Sequence, residues 1–294
     1  MIYGIKFVAA YLLGTDIAGR NLAVFPDDTF IVSYPRSGNT WTRFLVADLI
    51  YPEEPVTFRN IERVIPDIHA HSSRALKRVP RPRFLKSHEY FDPRYQKVVY
   101  LVRDPRDVVI SLYHFRRKSR IIDDGYPIEK YVERFLKGDM DASWGEHVGS
   151  WLGTRKEDSG FLRVRYEDLL QDTSQQLGRI AAFLGLDASP DRLARAIERS
   201  GADHLRKLEK VESDHWVTTR GRRKDIPFVG TAKSGGWRST LPRISAELIE
   251  SAWGGLMENL GYNASDQPCT ATQPELVAAP ASERTRKSSM INPR

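Results

Sequence analysis

Three stretches of this 294-residue chain bring together residue types that can handle an anion and a proton. The first is Tyr34-Pro35-Arg36-Ser37-Gly38-Asn39-Thr40-Trp41, in which Arg36 carries a fixed charge and Ser37, Asn39 and Thr40 carry side-chain donors. The second is Lys86-Ser87-His88. A lone histidine is more often structural than catalytic, but residues i and i+2 of an extended chain share a face, so Lys86 and His88 can address one reacting group. The third runs from Arg103 through Asp104-Pro105-Arg106-Asp107 to Ser111. Arg103 could hold an anion or pair with a local acid such as Asp107, and the spacing leaves both readings open.

Each stretch needs a strand to end and a helix to begin. The apolar run Phe30, Ile31, Val32 meets a turn-forming cluster, and a helical pattern starts at Thr40, Trp41 and Phe44. Such a junction turns backbone N–H groups and the positive end of a helix dipole toward one point, which favours an anion with several oxygens. It is not a Walker A loop, because GxxxxGK[ST] is absent. Phe84 and Leu85 form a short strand that delivers Lys86 and His88 at its carboxyl end, where the crevice of an open α/β sheet lies. Val98 to Val102 read as a buried strand; Asp104 as N-cap, Pro105 in the first turn and Asp107 three residues on then start a helix. Phe161, Leu162, Val164 and Tyr166 alternate as a further strand, with a helix from Glu167 to Leu170. Tyr131, Phe135, Trp144, His147, Val148 and Trp151 recur at helical spacing and are expected in the core.

Composition bounds the rest. Forty per cent apolar and 28 per cent charged residues suit a soluble enzyme with a sizeable core. A net charge of +7 and a pI near 9.4 point to an anionic partner, whether nucleic acid, membrane surface or nucleotide. The single cysteine, Cys269, excludes an internal disulfide framework and agrees with a reducing, cytoplasmic setting. No apolar run is long enough to span a membrane. Residues 1–28 read as an amphipathic segment packed on the core, with peripheral membrane contact as the minority reading. Residues 56–83 read as irregular structure over a sheet edge, its basic run a solvated face. His69 and His71 lack the Cys or acidic partners of a metal site, so no metal is expected. Residues 212–236, rich in Gly and basic residues, read as a disordered insert or a lid over a charged ligand. The segment 264–294 has no aromatic residue and reads as a disordered tail outside a domain spanning 29–263.

In this order the segments resemble the cytosolic-type sulfotransferase family over most of residues 29–238. YPRSGNTW is similar to that family's 5′-phosphosulfate loop (usually YPKSGTTW), LKSH to its KTH, RDPRDVVIS to its 3′-phosphate motif, Tyr166 in RYEDLL to a nucleotide-contacting tyrosine, and SGGW at 234–237 to the end of RKGxxGDW. The resemblance implies a single α/β domain of P-loop-kinase-like fold, a central mostly parallel sheet flanked by helices. It implies transfer of a sulfuryl group from 3′-phosphoadenylyl sulfate (PAPS) to a hydroxyl or amine, without a metal. His88 would be the general base, with Lys86 and Arg36 stabilising charge. The nucleotide would be held by Arg36, Ser37, Gly38, Asn39, Thr40, Trp41, Arg103, Ser111, Tyr166 and Lys233.

The chain also departs from the pattern. Arg36 replaces the loop lysine, and a guanidinium cannot donate a proton at neutral pH. The family's Arg-Lys-Gly falls on Gly230, Thr231 and Ala232, so its 3′-phosphate arginine is missing, and Lys233, Arg222, Arg223 or Lys224 is left to replace it. The family's Ser-Phe pair falls near Gly201 and Ala202, leaving Trp41 to stack on adenine. The Thr-Val pair of its dimer motif falls on Pro242 and Arg243, so the oligomeric state stays open. Small-molecule, lipid and carbohydrate acceptors, glycolipids included, all fit, and a nucleic-acid partner is not expected. A non-catalytic nucleotide- or anion-binding protein and a kinase with a degenerate phosphate loop are the alternatives; the absent Walker lysine argues against the kinase.

Overall fold

The computed structural model describes residues 16–139, 142–155 and 158–262. Four strands, β1 (Thr29–Ser33), β2 (Phe84–Ser87), β3 (Lys97–Val102) and β4 (Phe161–Arg165), form a sheet in the order β2-β1-β3-β4. All three pairings are parallel. A parallel sheet needs crossovers that cover both faces, and the alternation of side chains supplies two cores. Phe30, Val32, Val98, Tyr100 and Val102 face one layer, and Ile31, Val99, Leu101 and Val164 face the other.

The helices divide accordingly. On the first face lie α2 (Pro105–Lys118), α3 (Ile128–Leu136), α4 (Trp144–Arg155) and α9 (Arg243–Asn259), which contribute Leu112, Tyr131, Phe135, Trp144, Trp151 and Ile249. The aromatic residues expected in the core are there. On the second face lie α1 (Asn39–Ile50), α5 (Tyr166–Gln171), α6 (Thr173–Leu184), α7 (Pro190–Arg199) and α8 (Ala202–Glu212), with Phe44, Leu169, Ile180, Ala196 and Leu205 buried. Phe30 stacks on Tyr95 with ring centroids 3.6 Å apart. Burial of such a ring contributes about 1.5–3 kcal/mol.

Residues 56–83 do lie over the sheet edge, where Asp67 bridges to Lys86 of β2 in parallel register. The basic run at their end is not wholly solvated, because Arg83 is buried and paired with buried Asp28. Residues 213–236 are folded rather than disordered. Trp216 and Phe228 are buried within them, and the segment is fastened by Lys118, whose Nζ donates to Arg223 and Ile226 carbonyls and pairs with Glu209 at 3.2 Å. Glu209 in turn accepts from the Phe228 and Val229 N–H groups. Of residues 1–28, expected to form an amphipathic segment, residues 16–28 are described, with Ala18 and Leu22 in the core; residues 1–15, and residues 264–294 expected to form a tail, lie outside the described residues.

Candidate functional site

The strand order reverses about β1, so the crevice that opens at a topological switch point lies at the carboxyl ends of β1 and β3. The register brings Ser33, Ser87, Val102 and Arg165 to one edge, so the residues that follow each strand meet there. Gly38 is the N-cap of α1 with φ 95°, a left-handed conformation that glycine adopts without a steric penalty. A Cβ on Gly38 would stand 2.6 Å from the Tyr166 ring, so the loop lies flat on that tyrosine. No side chain caps α1, and its first N–H groups point out of the helix toward the crevice. The buried Ser37 Oγ and Asn39 Oδ1 have no hydrogen-bond partner among the described residues.

Cations crowd around this loop. Arg36, itself at positive φ, donates from Nε to Ser111 Oγ at 3.1 Å and from Nη2 to the Phe228 carbonyl at 2.9 Å. Its guanidinium lies 4.5 Å from the Phe228 ring. Burial, with the positive charge of Arg103 second, pushes Arg36 down to about 10. Arg103 does not pair with Asp107; it donates to the Arg36 carbonyl at 3.2 Å and the Lys233 carbonyl at 3.1 Å, and lies 4.3 Å from the Tyr166 ring. Trp41 meets the edge of the same ring at 6.0 Å.

On the other side of β1 stands His88. Its Nδ1 donates to the Ser33 carbonyl at 2.8 Å, which fixes the proton on Nδ1 and leaves Nε2 as the basic nitrogen. Burial, then the charge of Lys86, then His69, hold this imidazole well below the ordinary histidine range. Its carbonyl accepts from His147 Nε2 at 3.1 Å, and His147 Nδ1 accepts from the Tyr100 hydroxyl at 3.0 Å. Lys86 is buried and paired with Asp67, Nζ to Oδ2 at 2.5 Å.

Most of the residues singled out in the sequence therefore converge, with some corrections. The amide nitrogen of Asn39 is not turned to a ligand: it ties the strand ends together through the Ile31 carbonyl, Ser33 Oγ and the Ser87 carbonyl at 3.1, 3.3 and 3.5 Å. Lys233 reaches the site by its carbonyl, while its side chain is exposed. Asp107 does not close a capping box; its carboxylate accepts from the N–H groups of Gly235 and Trp237, which anchors the SGGW segment, and the Asp104 N–H goes to Glu167. Of the other cations considered for the missing arginine, Arg223 pairs with Asp124 and Asp225, and Lys224 with Asp214. Arg222 reaches Ser119 Oγ and packs 4.5 Å from the Phe115 ring, with no carboxylate partner among the described residues. Sequence reasoning missed Asp67, His147 and the Phe228 carbonyl, whose contacts join segments far apart in the chain. No group of three or more His, Cys, Asp or Glu among the described residues is arranged to hold a metal ion.

The geometry can be set beside known proteins. The family model described as a sulfotransferase domain matches residues 26–261. Mouse sulfotransferase 1B1 is 26% identical over 274 residues, covering 86% of this chain and 90% of its own length. Guinea-pig (Cavia porcellus) 3-beta-hydroxysteroid sulfotransferase is 29% identical over 242 residues, 77% of this chain and 82% of its own. The solved structure of mouse sulfotransferase SULT7A1 complexed with PAP superposes with a TM-score of 0.67 at 24% identity, over 82% of this chain and 87% of that one. That of retinol dehydratase in complex with androsterone and inactive cofactor PAP gives 0.68 at 23% identity, over 85% and 86%. No described helix is long and apolar enough to cross a membrane. A domain match over this span, with the loop, the histidine and the arginines at one sheet edge, means that the chain belongs to the cytosolic-type sulfotransferase family.

Proposed function

We propose that the protein transfers the sulfuryl group of PAPS to a hydroxyl or amine of a small-molecule acceptor, with His88 as general base. The donor supplies a sulfuryl group on a phosphate leaving group. The residues at the crevice fit its charge: the α1 N–H groups and Ser37 Oγ suit the 5′ end, Arg103 and Ser111 suit the 3′-phosphate, and the Tyr166 and Trp41 rings suit the base. Arg222, the lid arginine without a carboxylate, is our choice for the cation that replaces the missing arginine.

The observation that carries the reading is the hydrogen bond from His88 Nδ1 to the Ser33 carbonyl. It directs the basic Nε2 away from the sheet, and the lowered proton affinity keeps that nitrogen unprotonated at neutral pH. The acceptor proton moves to Nε2, and the Ser33 carbonyl stabilises the imidazolium that forms. Arg36 holds charge on the leaving oxygen but cannot protonate it. For that role its side chain exchanges Ser111 or the Phe228 carbonyl for the donor. Lys86, held by Asp67, adds a fixed positive field. The hydroxysteroid named in the guinea-pig relative and the androsterone in the retinol dehydratase complex favour an apolar small-molecule alcohol as acceptor. A cytoplasmic setting goes with the cytosolic naming of its relatives, such as zebrafish (Danio rerio) cytosolic sulfotransferase 1.

Calorimetry with adenosine 3′,5′-bisphosphate against ATP, together with turnover of His88→Ala, tests the proposal. Preference for the bisphosphate without Mg²⁺, and loss of turnover in a variant that still binds it, is the expected result. Equal affinity for ATP, or full turnover without His88, refutes it.

A further inference from the structure

His69, five residues after the one-turn helix at Ile61–Val64 and in irregular chain, touches the proposed base directly. Its Nε2 accepts the main-chain N–H of His88 at 3.0 Å, and the two imidazoles lie nearly parallel, 5.9 Å apart. Because Nε2 accepts, the proton of neutral His69 sits on Nδ1, which faces Glu89 Oε1 at 3.9 Å. The His69 main chain is held in turn: its N–H donates to Asp67 Oδ1 at 2.9 Å, while Asp67 Oδ2 takes Lys86 Nζ. Main-chain bonds from Ile68 N–H to the Lys86 carbonyl and from Lys86 N–H to the Pro66 carbonyl lock the same segment onto β2. A segment of four residues, Pro66 to His69, thus grips both Lys86 and His88.

We propose that His69 is a positioning residue for the reaction, one that fixes the main chain of His88 so that the basic Nε2 stays on the acceptor. This rests on the reading of His88 as the base. His88 lies just beyond the end of β2, where the ladder no longer holds its N–H, so a side-chain acceptor has to take over the role of a neighbouring strand. A neutral imidazole can do so and an imidazolium cannot. Burial, then the charge of Lys86, keeps His69 neutral down to about 4 despite the opposing charge of Asp67. The other titratable groups facing it are Glu89, itself paired with Arg20 at 3.0 Å, and the neutral imidazoles of His88 and His147.

The test compares His69→Phe, which keeps a ring but no acceptor, with His69→Gln, whose Oε1 can take the place of Nε2. Turnover is followed with radiolabelled PAPS and 2-naphthol, and as sulfate release to water where no acceptor is added. The His69→Phe variant should lose about 10- to 100-fold in kcat, the cost of a base displaced by a fraction of an ångström to an ångström. Its affinity for adenosine 3′,5′-bisphosphate should stay unchanged, and His69→Gln should recover most of the loss. A purely structural role would lower thermal stability in both variants and would not separate kcat from bisphosphate binding. Turnover of His69→Phe at the wild-type rate, or equal losses in both variants, overturns the proposal while His88→Ala remains inactive. If the wild-type protein neither binds the bisphosphate nor transfers sulfate, the functional reading falls and this inference with it.

Discussion

Gly38→Ala perturbs the anion loop at one atom. At φ 95° and ψ 5° any other residue is strained, by about 1–2 kcal/mol. The added Cβ would lie 2.6 Å from Tyr166 Cδ2 and 3.2 Å from Cε2, whereas carbon atoms rest about 3.5–4.0 Å apart. The ring therefore has to move by about 1 Å. It cannot move freely, because Arg103 lies over one face at 4.3 Å and Trp41 meets its edge. A forced rotamer adds about 0.5–1.5 kcal/mol, giving about 2–3 kcal/mol of destabilisation in all.

Urea unfolding reads the loss as a lower midpoint at unchanged slope. Calorimetry with adenosine 3′,5′-bisphosphate reads the displaced loop and ring as an affinity loss of about 10-fold or more. In a Tyr166→Ala background the clash is gone and only the backbone strain remains, so the cost of Gly38→Ala should shrink to about 1–2 kcal/mol. The reasoning is refuted if Gly38→Ala lies within about 0.5 kcal/mol of wild type with unchanged affinity, or if its full cost persists without the ring.

Three further outcomes follow from charge. His69 and His147 are both held down to about 4, by burial first, and His88 well below its usual value, so the unfolded chain takes up protons that the folded chain refuses. Stability is therefore full above about 6.5 and falls as the pH drops toward about 4. Buried His147 alone accounts for a loss on the order of 3 kcal/mol. The acid limb of kcat/KM should lie well below 6.5; thermal melts and pH profiles check both, and a limb at 6.5 or above contradicts the lowering of the His88 proton affinity by burial and the Lys86 charge. Lys118→Met leaves buried Glu209 without its cation, at a cost of about 3–5 kcal/mol, and loosens the Phe228 carbonyl from Arg36. Denaturation and bisphosphate calorimetry should both register it, and unchanged affinity would dissociate the lid from the nucleotide.

The strands were legible in the sequence because apolar runs give way to polar residues near Tyr34, His88 and Arg103, and a parallel sheet turns each stop into a wall of one crevice. Proximity along the chain also exposed Lys86 beside His88. What stayed hidden is tertiary. Asp67 meets Lys86 and His69 meets His88 because an irregular segment runs along the β2 edge, and no periodicity marks such a segment. The use of the Asn39 amide nitrogen within the fold was hidden for a related reason. As a polar residue in an anion-binding loop it looked like a ligand donor, but its amide nitrogen donates to the Ile31 carbonyl of β1 and, more weakly, to the Ser87 carbonyl of β2.

Electrostatics favours the crevice, among so many arginines, as the proposed anion site. Buried Arg43, Arg83, Arg106 and Arg155 each face a carboxylate, of Glu62, Asp28, Asp104 and Asp158 respectively. Such pairs hold the fold but leave no net field. Arg36, Arg103 and Arg222 have no ion pair to a carboxylate among the described residues and rest instead on carbonyls, hydroxyls and aromatic faces. The lowered proton affinities of Arg36 and Arg222 are the mark of positive charge buried without its counterion. A multiply charged anion entering the crevice relieves that repulsion, so the energy stored in the unpaired cations becomes affinity for it. The overall charge of +7 could not reveal this, since it sums both kinds of arginine. The pairing pattern distinguishes them, and it selects the same crevice at whose β1 wall the Ser33 carbonyl holds His88 Nδ1.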